Sequence, residues 1–150
     1  MTRERHRFLG AVGVALLLAG CGLLVSPPSQ GTLHEQGTTE VEIGVGETTQ
    51  VSLGDGSPGI GDDWGVISQT DDSVVDAEVV LGENVYGATG VEDAPGSSTP
   101  FAVELTGLAS GSTQVRVLYC TRTEIADDCD QSIGTLDPPV DPVEIVVTVR

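Results

Sequence analysis

Residues 39–53 read TEVEIGVGETTQVSL, and this stretch decides the fold class. Apolar residues alternate with polar or small ones on both sides of Gly46-Glu47. They are Val41, Ile43 and Val45 before it, and Val51 and Leu53 after it. A period of two is typical of a strand with one buried face, and a Gly-containing break between two such runs indicates a turn. The stretch therefore predicts two short strands joined by a tight turn.

The same alternation returns five more times, between turns rich in Gly, Pro, Asp and Ser. The runs are residues 64–68, 74–81, 101–105, 115–119 and 143–149. Valine dominates them, and β-branched residues favour strands. Short strands with turns between them are typical of β-sandwiches and barrels. We expect a seven-stranded antiparallel immunoglobulin-like sandwich over residues 39–150, with Trp64 in its core rather than exposed for recognition.

Three long connections interrupt this pattern, at residues 55–63, 82–98 and 121–141. If successive strands alternate in direction, all three lie at one end of the sandwich and the tight turns lie at the other. Loops on a rigid scaffold commonly carry binding surfaces. We therefore expect the protein to bind a partner through this loop cluster.

The N-terminal segment reads as an export signal. Arg3, Arg5 and Arg7 precede an apolar run that ends in Leu18-Ala19-Gly20-Cys21, as in a cleavable signal peptide. These four residues resemble the lipobox of bacterial lipoproteins, which implies that residues 1–20 are removed and that Cys21 receives a lipid such as palmitate. Residues 21–38, rich in Ser, Pro, Gly and Thr, then predict a flexible linker. The protein is expected to be extracytoplasmic and anchored to the cell membrane; an uncleaved membrane-spanning helix is the alternative.

The charge of the mature chain excludes several classes of partner. Removing residues 1–20 takes away three Arg and one Glu, so the formal charge of −17 becomes −19, and the chain has no Lys. A surface this acidic repels phosphate backbones and anionic headgroups. We therefore expect no nucleic-acid binding.

Two cysteines remain once Cys21 is lipidated. Cys120 and Cys129 are an even pair in an oxidising compartment, so a disulfide is expected, worth about 2–3 kcal/mol for so short a loop. It would staple the third long loop, or brace it for binding. A redox pair or a metal site would need CxxC spacing or nearby histidines, and the mature chain has only His34.

Catalytic residues are scarce. With His34 in the predicted linker and no Lys, the usual nucleophile–base pairs cannot form, so we expect neither an enzyme nor a cofactor. A calcium site is a weaker alternative, because hard cations take carboxylate ligands, although no EF-hand spacing occurs. Its candidates are Asp62, Asp63, Asp127 and Asp128, with Asp55 and Asp130 in the same two loops.

Residues 57–64 read SPGIGDDW and resemble a loop of the chagasin-like inhibitors of cysteine proteases. The family has NPTTGY in this loop, with a Trp shortly after it. Further resemblances lie in Asp71–Val75, Gly111–Tyr119 and Pro142–Arg150. The resemblance implies that the three loops wedge into the cleft of a papain-like protease. The residues it implies at the interface are Pro58, Gly59, Ile60, Gly61, Asp62, Gly96 and Arg122.

Several loop residues depart from the family. Ser57 stands for its Asn and Asp62 for its Tyr, and the Arg-Pro-Trp that follows its sixth strand is absent, since Cys120 follows Tyr119 here. A missing Trp anchor removes an interaction worth about 2 kcal/mol or more. A cell-envelope lipoprotein that uses the same scaffold for another partner is therefore the alternative function.

Overall fold

The computed structural model describes residues 31–89, 97–121 and 140–150. They form an all-β fold of two mixed four-stranded sheets, and their helical content is two 3-10 turns, Pro58–Ile60 and Gly82–Asn84. The strands are β1 (Leu33–His34), β2 (Glu40–Ile43), β3 (Thr48–Gly56), β4 (Asp62–Gln69), β5 (Val75–Leu81), β6 (Thr99–Gly107), β7 (Gly111–Thr121) and β8 (Val143–Val149). Within this part of the chain, no helix has the length and apolarity that crossing a membrane requires.

The first sheet has the order β1-β3-β6-β5 and the second the order β2-β8-β7-β4. The predicted antiparallel pairing is wrong at two places, because β1 runs parallel to β3 and β2 runs parallel to β8. Strand direction alternates strictly along the chain, so strands two or six places apart point the same way. Hydropathy within one strand does not show which strand becomes its neighbour, and so it could not reveal these parallel pairs.

The core lies between the two sheets and uses the alternating residues of both. It contains Val41, Ile43, Val51, Leu53, Val75, Phe101, Val103, Leu105, Val115, Val117, Ile145, Val147 and Val149, with Val74 beside them. Burial of a Val, Leu, Ile or Phe side chain stabilises the fold by about 1.5–3 kcal/mol. Val45 leaves the predicted pattern: it is 56% exposed, because the turn into β3 already begins at Gly44, whose carbonyl accepts the Glu47 N–H.

The expected count of seven strands is not confirmed, since the described residues hold eight. The additional strand, β1, falls in the segment that composition assigns to a flexible linker. The Thr32 carbonyl accepts hydrogen bonds from the Gln50 N–H at 2.9 Å and from Thr49 Oγ1 at 2.7 Å. This segment is held mainly by backbone pairing at the edge of β3, which leaves no trace in hydropathy.

The sandwich has two distinct ends. Residues Gly56, Asp62, Leu81, Thr99 and Thr121 mark the loop end, where Gly56 pairs with Thr99 and Asp62 with Thr121. Thr48, Gly107 and Val149 mark the turn end, where the Gly46 N–H donates to the Gly107 carbonyl at 2.7 Å. All three long connections therefore begin and end at the loop end, as the alternation of strand direction predicts.

Candidate functional site

The loop between β3 and β4 is built on a single 3-10 turn. Pro58 occupies the start of this turn, where its fixed φ fits and its missing N–H costs nothing. The Ile60 N–H donates to the Ser57 carbonyl and the Gly61 N–H to the Pro58 carbonyl, both at 3.0 Å. Gly61 ends the turn with φ +95°, a conformation that suits glycine. The residues Pro58-Gly59-Ile60-Gly61 thus form a tight turn.

Asp62 closes this loop at its base. Its Oδ2 accepts a hydrogen bond from the Ser57 N–H at 2.8 Å, and its own N–H donates to the Ser57 carbonyl at 3.3 Å. Two bonds therefore join the first and last residues of the segment 57–62, which we call the closed loop. The structure gives the Asp62 carboxylate a bracing role within the loop, and the contact with a partner that the sequence predicts for Asp62 stays a prediction.

The tip of the closed loop faces solvent. Pro58, Gly59 and Ile60 are all exposed, and Ile60 keeps 59% of its surface accessible. A Cβ added at Gly59 would meet no atom within 4 Å. The tip is therefore narrow and apolar, and its internal hydrogen bonds fix its shape before any partner arrives. A surface ordered in advance loses less entropy on binding.

Trp64 and Tyr119 form a pair two residues along β4 and β7 from the Asp62–Thr121 pair at the base of the closed loop. They face each other on β4 and β7, with ring centroids 5.2 Å apart and planes tilted by 56°, a favourable aromatic geometry. Trp64 packs against the core but is only partly buried. Trp64 therefore packs against the core as expected, but it lies at the edge of the core, where it supports the start of β4.

The second long loop begins by folding over the outer face of the first sheet. The Tyr86 N–H donates to Gln50 Oε1 at 2.8 Å, and Gln50 Nε2 donates to the Asn84 carbonyl at 2.9 Å and to Glu104 Oε2 at 2.7 Å. Gln50 is fully buried by this cover. Sequence reasoning missed it, because a glutamine on the outward face of a strand is ordinarily solvated.

Tyr86 joins the same polar cluster. Its side chain is hydrogen-bonded to Glu104, and burial, followed by the negative charge of Glu104, raises the pKa of Tyr86 above its ordinary value. The first part of the loop, residues 82–88, is thereby held on the sheet. These residues of the second long loop thus pack on the first sheet, and a binding surface over residues 82–98 stays a prediction.

Other predicted residues can be located only in part. Of the residues to which the sequence analysis assigns a role, those that lie outside the described ranges include Cys21, Gly96, Arg122, Asp127, Asp128, Cys129 and Asp130. Cys120 is fully buried, and its disulfide with Cys129 stays a prediction. Asp63 is exposed and accepts the Trp64 N–H at 2.9 Å. Across residues 31–89, 97–121 and 140–150, no three His, Cys, Asp or Glu side chains are grouped to hold a metal ion, and the calcium alternative stays untested for the third loop.

The chain matches no protein-family model and no curated protein sequence at a significant level. Among solved structures it is similar to the solution structure of Amebosin, with a TM-score of 0.54, 17% identity and coverage of 80% of this chain and 98% of that one. It is also similar to the cysteine protease inhibitor EhICP2 from Entamoeba histolytica, with a TM-score of 0.50, 13% identity and coverage of 81% and 98%. At these identities the likeness establishes a shared β-sandwich fold, consistent with the scaffold that the chagasin-like resemblance implies.

Proposed function

We propose that the chain is a lipid-anchored, extracytoplasmic protein-binding module that inhibits papain-like cysteine proteases. The observation that carries this proposal is the closed loop, whose narrow apolar tip is ordered in advance and exposed at the loop end. The fold supports it, because EhICP2, with which the chain shares its architecture, is a cysteine protease inhibitor. The family resemblance implies an immunoglobulin-like scaffold, and in the proposed complex Pro58, Gly59, Ile60 and Gly61 enter the protease cleft.

Ile60 supplies the main apolar contact in this proposal. The family's loop has a Thr at this position, so the substitution gives the tip more apolar surface to bury. The Asp62 carboxylate is hydrogen-bonded to the Ser57 N–H within the loop, so it acts by holding the tip rather than by replacing the family's Tyr at the interface. Affinity then rests on shape and apolar burial at Ile60.

The other two loops complete the proposed surface. Gly96 and Arg122 belong to connections that start or end beside the closed loop, since Gly56 pairs with Thr99 and Asp62 with Thr121. A disulfide between Cys120 and Cys129 would restrict the third loop close to where it leaves β7. This brace would partly compensate for the absent aromatic anchor.

Titration against a papain-type protease tests the proposal. The mature protein should inhibit at micromolar concentration or below, and Ile60→Asp should weaken inhibition at least about tenfold, because burial of an isoleucine side chain is worth about 1.5–3 kcal/mol. Leu108→Asp is the matched control, since Leu108 is 49% exposed at the turn end. Absence of inhibition by the unaltered protein at micromolar concentration would refute the inhibitor role.

The alternative is an envelope lipoprotein that uses the loop end for a different protein. Two features favour this alternative. The Asp62 carboxylate is hydrogen-bonded within the closed loop, and Cys120 occupies the position at which the family's Arg-Pro-Trp begins. Capture of partners from the native envelope separates the two functions. An inhibitor should retain a protease that Ile60→Asp releases, whereas the alternative predicts a partner without proteolytic activity.

A further inference from the structure

The N-terminal segment of the chain enters the sandwich at the turn end. Because β1 runs parallel to β3 with Leu33 opposite Gln50, Gly31 lies beside Thr48, the first residue of β3. β3 then runs from this point to Gly56 at the loop end. The point of attachment and the closed loop therefore lie at opposite ends of the same strand.

This junction is fixed by close contacts. The Thr32 carbonyl receives two hydrogen bonds from β3, through Thr49 Oγ1 and the Gln50 N–H. A Cβ added at Gly31 would lie 2.2 Å from the Thr48 carbonyl oxygen and 2.7 Å from a ring carbon of Tyr86. The backbone here is seated against both β3 and the segment that covers Gln50. Gly31 is consequently a fixed part of the turn end.

The distances favour one orientation. β3 has nine residues, so the two ends of the sandwich are separated by roughly 30 Å at about 3.3 Å per residue. Ten peptide steps separate Cys21 from Gly31, which reach at most about 35 Å and span roughly 16–19 Å on average if flexible. A linker of this length keeps Gly31 near the bilayer. If the long axis of the sandwich points away from the membrane, the closed loop lies farther from the bilayer than Gly31 by the length of the sandwich.

We infer that the domain, anchored through Cys21, holds its turn end towards the membrane and the closed loop towards solvent. Its partner is then a soluble protein that diffuses to the surface, rather than a protein embedded in the same membrane. The inference rests on the proposed lipid anchor and deepens the proposed function by assigning the class of partner.

Energy transfer to the bilayer tests this orientation. The full lipidated chain, carrying Ile60→Cys or Leu108→Cys with a donor dye, is inserted into phosphatidylcholine vesicles that contain an acceptor-labelled lipid. The unsubstituted protein, labelled in parallel, corrects for dye on native cysteines. Transfer should be weaker from position 60 than from position 108. Equal transfer, or stronger transfer from position 60, would overturn the inferred orientation.

Mass spectrometry of the same samples separates the two levels of the proposal. A chain that carries no lipid on Cys21 refutes the anchor and, with it, the orientation. A lipidated chain with the wrong order of transfer refutes the orientation alone. Protease inhibition is measured in solution without a bilayer, so its outcome is independent of both results.

Discussion

The Ser57 N–H donates a hydrogen bond to Asp62 Oδ2 at 2.8 Å, and this bond joins the two ends of the closed loop. The loop therefore has its shape without a partner, through a carboxylate that accepts a backbone donor. Hydrogen bonds to charged groups are worth about 1.5–3 kcal/mol. This bond lies at the base of the closed loop and Ile60 lies at its tip. In the proposed function, Asp62 therefore supports the loop and Ile60 contacts the partner.

Asp62→Ala should open the closed loop. We expect a loss of about 1–3 kcal/mol in the free energy of unfolding, since the Ser57 N–H loses its charged acceptor, together with weaker inhibition of the protease. Denaturant melts and inhibition titrations measure the two effects. Asp63→Ala is the control, because the exposed Asp63 accepts a hydrogen bond from the adjacent Trp64 N–H and its loss should change stability by less than about 0.5 kcal/mol. Equal effects of the two substitutions would contradict the bracing role.

Gln50→Leu should destabilise the fold strongly although it adds an apolar residue to a buried position. The Tyr86 N–H and the Asn84 carbonyl would both lose their Gln50 partner, and each buried group left unsatisfied costs about 1–3 kcal/mol. We expect a loss of about 2–4 kcal/mol in chemical denaturation. Gln114→Leu provides the comparison, since the Gln114 amide reaches Glu144 on an exposed face, and a loss as large as that of Gln50→Leu would argue against the buried cluster.

Tyr86 should make stability fall at alkaline pH. Burial, and after it the charge of Glu104, raises the pKa of Tyr86 above its ordinary value, which is about 10, so above about pH 10 the unfolded chain releases the phenolic proton before the folded chain does. The free energy of unfolding therefore decreases as pH rises through this range, whereas below it both states keep the proton. Tyr86→Phe should remove this part of the slope in denaturant melts taken across alkaline pH. A slope that survives the substitution unchanged would assign the effect to other groups.

The sequence could predict the strands because their alternation is a local property. Val51, Val103 and Val147 stand at inward positions of their runs, and all are buried between the sheets. The pairing of strands is not a local property, because no residue of β2 indicates that this strand pairs with β8. The strand β1 was missed for a related reason, since the Thr32 carbonyl is held by backbone and hydroxyl donors of β3.

The candidate site was predictable to a similar extent. Pro58 and Gly61 mark a turn in any sequence, and the structure has one there. The role of Asp62 was not accessible, because a carboxylate beside a second carboxylate in an acidic chain is ordinarily solvated surface. Gln50 gave no signal either, since its burial depends on a segment more than thirty residues away.

Gly31→Ala should release β1 from the edge of β3. The new Cβ would lie 2.2 Å from the Thr48 carbonyl oxygen, a contact with backbone that cannot be relieved by a side-chain movement. We expect a loss of about 1–3 kcal/mol, as in other overpacked sites, and faster amide exchange at Gln50, whose N–H donates to the Thr32 carbonyl. Gly59→Ala adds the same methyl group where no atom lies within 4 Å and should leave exchange at Gln50 unchanged. Unchanged exchange in Gly31→Ala would show that β1 is not held at this junction, and the orientation inferred for the anchored domain would lose its support.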